Sequence, residues 1–184
     1  MHKVMRSRWW KPLLLLSLVL FVAQCGDESD VVMEDPECFV EGFEGGEYAF
    51  TVDVDRIDDL CAAGFFNGYI DPGPWGPFPL PAVADPPQDI TITLPFVGAV
   101  TGTVSWSGST IRFVVLQPVQ ISGIPVPGYG AVSVTARVSA SFCPASQERV
   151  DGELTITIQE LQPAIPLINP PCQVTVPGIG SLQG

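Results

Sequence analysis

The sequence predicts an all-β, antiparallel fold, a β-sandwich or small β-barrel of seven to nine strands joined by proline-rich loops. Three observations predict it. Apolar residues recur at every second position in one stretch after another, no stretch keeps them at helical spacing for long, and proline and glycine fill the gaps. Period two places successive side chains on opposite faces, so each such stretch reads as a half-buried strand.

The first strand is EYAFTVDVD, Glu47 to Asp55, with Tyr48, Phe50, Val52 and Val54 on one face and Ala49, Thr51, Asp53 and Asp55 on the other. Asp55 to Gly64 then offers at most a single turn of helix. DITITLPF, residues 89 to 96, sets Ile90, Ile92, Leu94 and Phe96 against threonines. GAVTGTVSW and IRFVVLQ form a hairpin that turns at Ser107 to Ser109 around Gly108. The longest strand is AVSVTARVSASF, Ala131 to Phe142, which buries Val132, Val134, Ala136, Val138, Ala140 and Phe142. GELTITIQEL, Gly152 to Leu161, buries Leu154, Ile156 and Ile158, and CQVTV closes the sheet as a short strand.

Between these strands, DPGPWGPFPLPAVADPP, Asp71 to Pro87, reads as a pinned loop or a polyproline II excursion, and ISGIPVPGYG, QPAIPLINPP and VPGIG as shorter loops. The loops are apolar as well as stiff. Leu80, Val83, Ile165 and Leu167 either cap the core or join a binding surface. Tyr69, Trp75, Phe78 and Tyr129 fall in or beside the loops, where they are candidates to grip a ligand or to fold back as a plug over the core.

The chain opens with MHKVMRSRWWK, which carries four basic residues and no acid, followed by an apolar segment from Leu13 to Ala23. Such a segment rises about 16 Å as a helix, roughly half the hydrocarbon core of a bilayer, and GDESD follows it rather than a basic stop. It therefore reads as an export signal, not a membrane-spanning helix. Leu20 to Cys25 resembles the lipobox of a bacterial lipoprotein signal, although Gln24 occupies a position where that family usually has Gly, Ala or Ser. The resemblance implies that Cys25 is acylated and becomes the new N-terminus, and that the protein is tethered at the cell envelope; Gly26 after the cysteine implies the outer membrane. An ordinary secretory signal and an uncleaved anchor are the alternatives. The domains expected are therefore a signal over 1–24, an acidic tether over 25–37 and one β domain over 38–184. That domain resembles β-rich bacterial lipoproteins, some with lipocalin-like barrels, but it lacks the GxW signature of a lipocalin's first strand.

Beyond the signal only four arginines face twenty acids, a side-chain charge of −16. A nucleic-acid partner is excluded, because phosphate binding needs a basic surface. Thirteen of the acids lie between Asp27 and Asp59, whereas Ile90 to Gln147 contains none and nothing after Glu160 is charged. Cys38, Cys61, Cys143 and Cys172 form an even set in an exported chain and predict two disulfides. Local bracketing favours Cys38 with Cys61 and Cys143 with Cys172. A four-thiolate zinc site would call for CxxC pairs, and there are none.

His2, Lys3 and Lys11 are the only residues of their types, so the chain beyond the signal has neither histidine nor lysine. Ser-His-Asp, Cys-His and Ser-Lys chemistry and histidine-bound metals go with them. Asp53, Asp55, Asp58 and Asp59 are what remains for chemistry. They are candidates for carboxylate-based glycan hydrolysis or for calcium, although the spacing lacks the glycine and the final glutamate of an EF-hand. No cofactor is expected. The function expected is that of a non-catalytic, membrane-tethered lipoprotein using its loops to contact an envelope protein, a glycan or a small apolar ligand. A glycan-acting enzyme and a calcium-stabilised adhesive module are the alternatives.

Overall fold

The computed structural model describes residues 38–61, 68, 70–95, 97–126, 128–166 and 168–184, all within a compact unit over Pro36–Gly184. The signal with Cys25, the tether and Tyr69 lie outside the described residues.

Ten strands form one antiparallel sheet: β1 (Gly46–Val52), β2 (Asp58–Asp59), β3 (Trp75–Leu80), β4 (Gln88–Leu94), β5 (Gly98–Ser107), β6 (Thr110–Val115), β7 (Val119–Val126), β8 (Gly130–Pro144), β9 (Arg149–Gln162) and β10 (Cys172–Leu182). The fold is all-β, as the alternation predicts. The order β3-β1-β10-β9-β8-β6-β5-β4 curls the sheet until its two end strands lie side by side without a ladder between them, making a nearly closed barrel. The seam is bridged by Trp106, whose indole Nε1 donates to the carbonyls of Pro81 (3.2 Å) and Ala82 (2.9 Å).

Two places where the chain leaves the ladder and rejoins it shape the barrel. β10 pairs first with β2 and then with β1, and between them Val54–Arg56 makes one 3-10 turn. β8 pairs with β7 along its first half and with β6 along its second, across the break at Leu116 to Pro118.

The inward set is the one expected: Tyr48, Phe50, Val52, Ile92, Leu94 and the six apolar residues of Ala131 to Phe142 are all buried. Three expectations need correction. The first strand stops at Val52, so Asp53 and Asp55 do not share a strand face; Val54 is exposed. The stretch Asp71 to Pro87 contains β3, ISGIPVPGYG begins inside β7 and runs into β8, and VPGIG lies within β10. The disulfides join Cys38 to Cys143 and Cys61 to Cys172, with Cα atoms 5.0 and 4.9 Å apart. Sheet neighbours decide this. Phe39 N–H donates to the Pro144 carbonyl at 2.6 Å, holding the chain's entry beside the end of β8. Cys61 follows β2, which lies against the start of β10.

Candidate functional site

Reading the registers fixes which loops share an end of the barrel. One end holds residues 41–45 and 81–87, the Ser107–Thr110 turn and 145–148; it carries Glu41, Glu44, Asp85 and Glu148. Among the described residues the opposite end holds 53–61, 68, 70–74, 95, 97, 128–129, 163–166 and 168–171, and it carries Asp53, Asp55, Asp58, Asp59 and Asp71.

Towards the end that holds 145–148 the interior is filled with rings: Phe50 lies 5.1 Å from Phe78 and 5.0 Å from Phe142, centroid to centroid, and Phe43 stands between Tyr48 and Trp106. Towards the other end the inward residues are aliphatic, and they do not meet. A cavity of about 220 Å³ opens there, walled by Leu94, Val134, Leu154, Ile156, Ile158 and Val174. Trp75 separates the two halves. Its indole Nε1 donates to the Asp71 carbonyl at 2.8 Å, which fixes the ring as one wall of the cavity.

The rim is built from β7 and from the β4–β5 turn at Pro95 and Val97. In β7 the register against β8 shifts between Ile121 and Ile124, with Gly123 at φ +79°, so two isoleucines three residues apart both face the cavity. A bulge is the device that re-aims a side chain in this way. Ser122 is exposed, and its Oγ accepts from Ser133 at 3.4 Å on the outer face of β8, so it adds no hydroxyl to the wall. No ionisable side chain lines the cavity among the described residues. It can hold an apolar body.

The aromatic candidates separate. Trp75 lines the cavity, but from β3 and not from a loop. Phe78 is buried in the ring-filled half and belongs to the core. Both escaped the period-two reading because the β1–β3 register shifts between Tyr48 and Phe50, which brings Trp75 and Phe78, three residues apart, to the same face. Tyr129 is exposed at the β7–β8 turn, its N–H donating to the Val126 carbonyl.

The four aspartates do not converge either. Asp55 and Asp58 are exposed, Asp53 precedes the 3-10 turn, and Asp59 is buried with its Oδ1 accepting the Cys61 N–H at 2.9 Å. Among the described residues no three histidine, cysteine or carboxylate groups come together to hold a metal ion. Of the capping set, Leu80 and Ile165 are buried and Val83 is exposed, while Leu167 lies outside the described residues.

The aliphatic wall was the part that sequence reasoning missed. Its signal was the charge-free run of the segments around it, which the sequence displays without saying that they meet. No family model matches the chain, and no curated protein or solved structure matches it either.

Proposed function

We propose that this protein is an exported lipoprotein of the bacterial envelope, tethered through Cys25, which binds a small apolar molecule in the open end of its barrel and has no catalytic role. The observation that carries the reading is the cavity: about 220 Å³ of space walled by aliphatic side chains and one tryptophan, with no ionisable group among the described residues. A well-packed interior leaves few voids larger than a water molecule, so space of this size at the mouth of a barrel is a ligand site before it is a packing defect. Of the three partner classes open to the sequence, a glycan calls for many hydrogen-bonding groups and a protein for a convex or flat surface; the cavity favours the third. The lipobox-like segment and the two disulfides support export and the tether.

Two measurements test it. Intact mass of protein from a membrane fraction is expected to show a chain beginning at Cys25 and bearing three acyl groups; an unmodified secreted chain would remove the tether. For the cavity, radiolabelled benzene, which fits an apolar space of this size, is added to the full chain held in lipid nanodiscs. It should be taken up more by the parent chain than by the double variant Ile121→Phe, Ile156→Phe, which fills the space. Ile179→Ala, on the outer face of β10, should leave uptake unchanged. Equal uptake by the parent and the filled variant would refute the site.

A further inference from the structure

The composition of the wall and rim narrows the ligand class beyond "apolar". The cavity has a volume, an electrostatic setting and an opening that each limit what can enter. An apolar protein cavity of about 150 Å³ stays dry and accepts benzene. At about 220 Å³, this one has room for roughly seven groups of the size of water or methylene, each with a share of about 30 Å³. The opening lets a polar head remain at the rim while the apolar part is inside.

The rim is uncharged over most of its circumference. Residues 94–98, 116–130 and 161–173 contain no charged side chain. On the remaining side stand Asp53, Asp55, Asp58, Asp59 and Asp71, with Arg56 as their one neighbouring cation in sequence. Ile70, next to Asp71, is itself part of the wall. A carboxylate head brought to this rim would lose water, would find Arg56 already outnumbered by the aspartates around it, and would meet a protein of strongly negative charge. A hydroxyl or ester head meets neither cost.

Building on the binding reading above, we infer that the cavity takes an uncharged single-chain amphiphile, with about seven or eight carbons of its chain inside, and discriminates against the anionic counterpart of the same length. Two-chain lipids are too large for it. The polar requirement is slight: among the described residues no side-chain hydroxyl faces the cavity, since Ser122 meets Ser133 on the outer face.

The test is equilibrium dialysis of radiolabelled straight-chain alcohols from hexanol to dodecanol, and of octanoate, against the full chain in nanodiscs. The Ile121→Phe, Ile156→Phe variant in identical discs gives the contribution of the lipid, which is subtracted. Affinity is expected to rise about fourfold per methylene, the value of one buried CH₂, and to level off near eight carbons as the chain reaches the rim. Octanoate at neutral pH should bind at least about tenfold more weakly than octanol. Octanoate binding as tightly as octanol, or affinity climbing unbroken to dodecanol, would overturn this ligand class while leaving the cavity as a binding site. No difference between parent and filled variant for any probe would overturn the site itself.

Discussion

Phe50 lies across the β1–β10 ladder from Gly180, and the ring covers the place where that residue's side chain would stand. A Cβ at Gly180 would come 2.6 Å from Phe50 Cζ, and one at Gly152 would come 2.7 Å from Phe50 Cε1. Both glycines are therefore spaces for one ring, not turn residues. Gly180→Ala is expected to cost about 1–3 kcal/mol by overpacking, read from urea midpoints. Phe50→Leu in the same chain should return part of that loss, since the two changes share one contact. Tyr48 shows the polar counterpart. Fully buried, its hydroxyl donates to the Gln147 carbonyl at 2.6 Å, while the Gln147 side chain bonds the Gly45 carbonyl and the Glu44 N–H, fastening the β8–β9 turn to the entry of β1. Burial raises the phenol's pKa above its ordinary value of about 10. The protonated form is thus favoured by folding. Its contribution to stability is present below pH about 10 and is lost as pH rises through the folded-state pKa. Tyr48→Phe should lower stability by about 1–2 kcal/mol at neutral pH and make the fall above pH 10 shallower than in the parent, measured by urea unfolding across pH 8 to 11.

At the level of elements, the strands that alternate cleanly were legible, and the ones that carry proline were not. Proline reads as a loop because it lacks a donor for the ladder, yet each misread strand gives it a position where no donor is needed. β3 is an end strand, with β1 as its one ladder partner, so Pro77 and Pro79 can face its free edge. Pro177 sits in β10 opposite the interruption between β1 and β2. Its carbonyl accepts the Asp53 N–H at 2.9 Å, and because N and C=O of one residue point to the same side of a strand, the missing N–H falls at the interruption too. Such positions are set by partners far away in the chain, which local periodicity cannot see. The same holds for the cavity: its walls come from six strands, and the space between them depends on side chains that stop short of one another. Trp75 is where this can be tested. Trp75→Ala should destabilise the barrel by about 3–5 kcal/mol and join the cavity to the ring-filled half. Uptake of radiolabelled benzene should then rise as melting temperature falls; a stability loss under about 1 kcal/mol would mean that the indole is not a packed wall.

For the whole molecule, the question is what holds together a domain of strongly negative charge whose core is left unfilled at one end. Self-repulsion and lost packing both weaken it. The disulfides oppose them from the unfolded side. They close segments whose ends are 105 and 111 residues apart, and a cross-link over about 100 residues removes unfolded-state entropy worth roughly 4–5 kcal/mol. The local pairing expected from spacing would close far shorter segments and remove less. The two closed segments also interleave, so once one bond is in place the other constrains a chain already shortened. Cys61→Ser with Cys172→Ser is therefore expected to lower stability by up to about 4 kcal/mol, and loss of both bonds by less than twice that, measured from guanidinium midpoints. The pairing itself is open to a direct measurement. Arginines at 56, 112, 137 and 149 place the four cysteines on four tryptic peptides. Without reduction, the peptide ending at Arg56 should travel with 138–149, and 57–112 with 150–184. A link between the peptide ending at Arg56 and 57–112 would instead mean that β10 is not fastened beside β2. The side of the cavity formed by Val174 would then lose its support.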